Sequence, residues 1–158
     1  MTILDVLEQD HDRLRALVLK VDEAADDMAH VGLEALFHEF KIKVLAHTRA
    51  EEDTFYAALQ AIDATEDAAE HAVDEHEAVE AVLALLDTVD VGSATWRAGF
   101  HRLREALLQH IADEESALFT AARAVLDEAA QRRLAHAFDA ERQRLLDSDS
   151  AVLARKSA

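Results

Sequence analysis

The sequence repeats itself once, and that repeat limits the possible fold more than any other feature. The segment FHEFKIKVLAHTRAEEDTFYAA, beginning at Phe37, matches FHRLREALLQHIADEESALFTAA, beginning 63 residues later at Phe100. The match pairs His38 with His101, His47 with His110, and Glu51 and Glu52 with Glu114 and Glu115. A shorter match precedes each copy, DHDRL around His11 and EHEAV around His76. Such a repeat describes two helical hairpins related by a pseudo-twofold axis.

The residues between these landmarks favour helix throughout. The 158-residue chain has no proline and three glycines, so most turn and strand signals are missing. Leu4, Leu7, Leu14, Val18 and Val21 form a helical stripe from Thr2, the expected N-cap, to about Met28. A second stripe through Phe37, Phe40, Val44, Phe55 and Ile62 starts after the break at Val31 and Gly32. Thr65 is the expected cap of a third helix carrying Val73, Val79, Leu83 and Leu86. Asp90 to Ser93 reads as a turn with Ser93 capping a fourth, marked by Phe100, Leu103, Leu107, Leu118 and Val125. The expected fold is all-α: an up-down four-helix bundle over residues 1–126. An accessory helix from Glu128 to Leu146 and a polar tail occupy residues 127–158.

Composition removes several function classes. Without cysteine there is no disulfide, thiolate metal site or c-type haem attachment. A formal charge of −17 opposes binding to nucleic acid or to an anionic membrane surface, because both depend on clustered Lys and Arg. No run of 18 apolar residues exists and the amino terminus is charged from Asp5, so neither a membrane span nor a signal peptide is expected and the chain reads as cytoplasmic.

Most of the 33 Asp and Glu residues belong to a solvated surface, but not all. His47 and Glu51, like His110 and Glu114, stand four residues apart, about 40° around a helix and one turn along. His47 points with Val44, Phe55 and Ile62, and His110 with Leu103, Leu107 and Leu118. His11 shares the stripe of Leu7 and Leu14, and His76 that of Ala72, Val79 and Leu83. Four histidines and two glutamates therefore point into an apolar interior whose stripes carry no Lys or Arg nearby. An ionised carboxylate there costs several kcal/mol unless it is paired or binds a metal. Imidazoles with carboxylates suit a pair of borderline divalent ions, iron first, with manganese or zinc as alternatives. Two ferrous ions balance the two carboxylates with charge to spare, and a diferric pair calls for an added oxo or hydroxo bridge. A single HxxxE is commonplace in a Glu-rich chain; two at a repeated offset, with a further His on each remaining helix, are not.

The pattern DH in the first helix, HxxxEE followed by an aromatic in the second, EH in the third and HxxxEE in the fourth resembles the hemerythrin-like HHE family over about residues 1 to 125. The resemblance implies a four-helix bundle with a non-haem diiron centre. Carried onto this chain, His11 and His47 hold one iron, His76 and His110 the other, and Glu51 and Glu114 bridge them. Burial and charge lead to the same six residues. Hemerythrins proper carry a further histidine one turn before the third-helix ligand, where this chain has Ala72. His71, about 140° away from His76, Glu80, one turn after it, and Tyr56 are minor candidates to complete the metal shell. Packing between helices is the favoured role for Tyr56.

His38 and His101, nine residues ahead of His47 and His110, fall on the opposite face. Glu52, Glu115, Asp10 and Glu75 adjoin the ligands and are candidates to accept from imidazole N–H groups. His30 and His136 receive no role. Ferritin-like bundles are the nearest structural rival but use ExxH pairs. The expected function is binding of, or reaction with, a small ligand such as dioxygen, hydrogen peroxide or nitric oxide. A catalase- or peroxidase-like activity against oxidative stress and an iron or oxygen sensor are the alternatives. No catalytic residue and no oligomeric state is assigned.

Overall fold

The computed structural model describes residues 1–27 and 30–148. Met28, the expected end of the first helix, and the tail beyond residue 148 lie outside them. Among the described residues there is no strand. Helix α1 (Ile3–Asp26) begins at a full capping box: the Thr2 hydroxyl accepts from the Asp5 amide, and the Asp5 carboxylate accepts from the Thr2 amide at 2.8 Å. Two N–H groups that a helix start leaves unsatisfied are thereby paired.

Helix α2 (Leu33–Glu51) starts at Gly32, which adopts φ 74°. It continues without a break into a π-helical segment at Glu52–Tyr56 and a short α3 (Ala57–Gln60). Helix α4 (Glu66–Leu86) follows a tight turn. Thr65 stands at its N-cap position, but its hydroxyl donates backward to the carbonyls of Leu59 and Ile62 instead of capping the helix. Gly92, at φ 82°, shapes the next turn; a Cβ there would meet the His30 ring at 2.6 Å. Ser93 then caps α5 (Ala94–Asp113), accepting from the Trp96 amide. The α5 rod also passes through a π-helical segment, Glu114–Leu118, into α6 (Phe119–Val125). Last comes α7 (Glu128–Leu146), capped by Asp127.

The rods of α1, α2–α3, α4 and α5–α6 form a four-sided bundle. Helix α1 packs on α2 and α5, and α4 packs on α5 and α2, while α7 lies against α1 and α2. The core is the sum of the expected stripes, from Leu7, Leu14 and Val18 on α1 to Leu103 and Leu107 on α5. At one end Phe37, Phe40, Trp96 and Phe100 pack in a cluster, with Trp96 and Phe100 stacked at 5.2 Å. Each large aromatic there is worth about 3–5 kcal/mol against truncation to alanine. This apolar end fixes the spacing of the rods above which polar side chains meet.

Candidate metal centre

Above that cluster the interior changes character. His11, His47, Glu51, His76, His110 and Glu114 are all buried, and one patch of space collects their side-chain ends. The Nε2 of His47 lies 3.2 Å from Glu51 Oε2, and that of His76 lies 3.3 Å from the same oxygen. His11 Nε2 is 3.8 Å from Glu51 Oε1 and 3.3 Å from Glu114 Oε2; His110 Nε2 is 3.5 Å from Glu114 Oε2. His76 and His110 bring their Nε2 atoms to 2.9 Å. Two compact triads result, His11 with His47 and Glu51, and His76 with His110 and Glu51. Glu51 belongs to both.

The outward nitrogens make the inward ones available. Each Nδ1 meets a carboxylate: His11 that of Glu115 at 2.9 Å, His47 that of Asp10 at 2.9 Å, His76 that of Glu52 at 3.0 Å and His110 that of Glu75 at 3.3 Å. These are the four acids expected to accept imidazole N–H groups. A proton held on Nδ1 by a carboxylate leaves the Nε2 lone pair facing the pocket. Two of the acids are anchored in turn. Arg15 donates to Glu115 at 2.7 Å, and Arg142 on α7 donates to Asp10 at 2.5 Å. Phe138, also on α7, packs edge-on to the His47 ring.

The pocket lacks partners that a buried polar cluster normally has. His11 Nε2, His47 Nε2, Glu51 Oε1 and both Glu114 oxygens are buried with no hydrogen-bond partner among the described residues. Such atoms cost about 1–3 kcal/mol each, more for charged groups. The nitrogen–oxygen separations of 3.2–3.8 Å are too long for good hydrogen bonds. They suit donors that each sit about 2.0–2.2 Å from a shared ion. On this test the donor set fits divalent cations.

Protons stand in for the cation in the electrostatics of these side chains. Burial strips charge from His47, but the Glu51 and Asp10 carboxylates outweigh it and its pKa is pushed up to about 10. His76 is likewise raised, to about 9, by Glu51 and Glu52 against the cost of burial. Burial together with the positive His76 lowers His110. Glu51 is held well below the usual carboxylate range because His47 and His76 outweigh its burial. Carboxylates and imidazolium groups thus compensate one another within the pocket, while His110 is driven toward its neutral form.

The structure corrects the reading of Tyr56. It is fully buried, and its hydroxyl lies 3.3 Å from the Nε2 atoms of His76 and His110 and 3.4 Å from Glu51 Oε2. On an ideal helix, nine residues after His47 is the opposite face. The π-helical segment that ends at Tyr56 underwinds the chain and turns the phenol inward. Two other candidates drop out. His71 is 76% exposed and only approaches Glu75, at 3.9 Å. Glu80 faces Arg49 at 3.6 Å, away from the pocket. Arg49 is itself buried, so the interior does hold an arginine that the apolar stripes did not reveal. His38 and His101 are exposed, as their spacing predicts.

A family profile described as the Hemerythrin HHE cation binding domain matches residues 2–122. Among curated proteins, a DNA nickase from Nostoc sp. (strain PCC 7120 / SAG 25.82 / UTEX 2576) is 23% identical over 145 residues. That match takes in 92% of this chain but only 40% of the Nostoc protein. Among solved structures, a hemerythrin HHE cation binding domain-containing protein from Mycobacterium kansasii superposes with a TM-score of 0.81. It shares 23% identity and is matched over 100% of this chain and 95% of its own, a likeness of fold. Among the described residues no helix is long and apolar enough to cross a membrane.

Proposed function

This chain belongs to the hemerythrin HHE cation-binding family, and from that premise we propose that it holds two iron ions and reacts with a small uncharged ligand. The observation that carries the reading is the convergence of four Nε2 atoms and two carboxylates in a buried pocket, five of these ligand-type atoms having no hydrogen-bond partner among the described residues. His11 and His47 would hold one ion, His76 and His110 the other, with Glu51 and Glu114 shared between them. Iron in such a site supplies reversible one-electron chemistry toward dioxygen, hydrogen peroxide or nitric oxide. The protein frame contributes fixed ligand directions through the four Nδ1–carboxylate contacts and an apolar surround that limits water.

Tyr56 favours peroxide consumption over simple carriage. Burial and the Glu114 and Glu51 carboxylates hold its phenol well above its ordinary pKa. The group is therefore a neutral donor with its proton on Oη, beside His76 and His110. A positioned neutral hydrogen-bond donor stabilises the negative charge that develops on peroxide oxygens as they are reduced. The name of the Nostoc relative suggests a different activity, which the charge of −17 on this chain opposes, since a phosphodiester substrate is itself anionic.

The test is metal analysis with an optical spectrum on protein purified in air. We expect about two irons per chain and ferric bands in the near ultraviolet, with hydrogen peroxide consumed catalytically. One metal per chain, or zinc after growth and reconstitution in iron, sinks the diiron assignment.

A further inference from the structure

A cleft of about 140 Å³ runs between α4 and the α5–α6 rod. Ala68, Ala72, Ala117 and Leu118 form its walls, and its inner end reaches His110 and Glu114. These two side chains are 2% and 1% exposed, so the cleft touches the metal pocket at its edge. The larger grooves elsewhere, of about 950, 490, 400 and 230 Å³, are lined by none of the six candidate ligands.

We infer that this cleft is the entry for the ligand and that it favours small uncharged molecules over anions. The inference rests on the proposed function, because it takes the His76 and His110 half of the pocket as the place of reaction. Size sets the first part. A space of about 140 Å³ admits a diatomic, a peroxide or a xenon atom and excludes a nucleotide. Ala72 makes the opening: buried and one turn before His76, it presents only a methyl group to the cleft.

Charge sets the second part. Glu75 lines the cleft beside His110, and Asp113 is exposed near its mouth. An anion meets these two carboxylates on its way in, and a like charge at the mouth of a cleft slows its entry. A neutral diatomic meets mostly methyl groups.

The experiment uses the protein as purified, with two probes. Crystals pressurised with xenon should hold a xenon atom between Ala72 and Leu118, and Ala72→Leu should abolish it. In stopped flow on the ferrous protein, Ala72→Leu should slow nitric oxide binding at least tenfold, while Ala81→Leu, on an exposed site of the same helix, leaves it unchanged. On the ferric protein, Asp113→Asn should speed azide binding severalfold and leave nitric oxide binding alone. Nitric oxide binding at the wild-type rate in Ala72→Leu, or xenon lodged elsewhere, overturns the entry assignment and leaves the metal assignment standing. Protein that carries no metal yet takes up xenon in the cleft overturns the metal assignment while the apolar path survives.

Discussion

Tyr56 and Phe119 occupy equivalent positions of the two repeats, and they make the two ends of the pocket chemically different. Phe119 stacks on His11 at 6.2 Å and offers no proton, whereas Tyr56 tilts over His76 at 5.1 Å with its hydroxyl among the ligand atoms. Tyr56→Phe should therefore keep its iron but lose peroxide consumption by about a hundredfold, the low end of what one positioned donor contributes. Unchanged turnover in that variant would return Tyr56 to packing. A second residue-level expectation follows from His47, raised from 6.5 to about 10 in the metal-free pocket. A group whose pKa is higher folded than unfolded stabilises the fold fully below the unfolded value, and that stabilisation is lost as pH rises through the folded one. The Tm of metal-free protein should therefore fall between pH 6.5 and about 10, while the iron-loaded protein, whose imidazoles are already neutral, holds its Tm across that window. A metal-free Tm that rises over this range contradicts the assignment of His47 to a carboxylate-lined pocket.

At the scale of elements, the helices and their order follow from apolar spacing, and α7 runs over the expected Glu128–Leu146. Thr2 and Ser93 cap as expected because each precedes a helix at the right offset, while Thr65 does not because the turn before it offers nearer carbonyls. The convergence of His11, His47, Glu51, His76, His110 and Glu114 was legible because those residues fall on faces set by an ideal 3.6-residue helix. Tyr56 was not, because local composition does not announce a π-helical segment and each such segment shifts everything after it. The aromatic that follows HxxxEE in both repeats is the one available hint. The role of α7 was hidden for another reason, since contacts between residues as distant as Arg142 and Asp10 leave no trace in local pattern. Arg142 steadies Asp10, which holds the Nδ1 of His47, so Asp10→Ala should weaken metal retention by roughly 10–100-fold in a chelator competition, and Arg142→Ala should weaken it by less but measurably. His38→Ala should leave it unchanged. Equal losses in Arg142→Ala and His38→Ala, or none in Arg142→Ala, would make α7 a cover and nothing more.

For the whole molecule, the bundle is a frame that trades some stability for a polar pocket. Metal that binds only the folded chain adds stability, about 4 kcal/mol at a thousandfold excess over Kd. Iron removal should thus lower the Tm by several degrees, and Glu51→Ala or Glu114→Ala should erase most of that increment. A Tm indifferent to iron would mean that the folded chain does not bind it. The central claim is that two ions sit between the two repeats and share Glu51 and Glu114. Anomalous diffraction at the iron edge, on crystals of protein purified in air, addresses it directly. The account requires two iron peaks, one beside His11 and His47 and one beside His76 and His110, with both glutamates between them. A single peak, or iron located away from these six side chains, contradicts it.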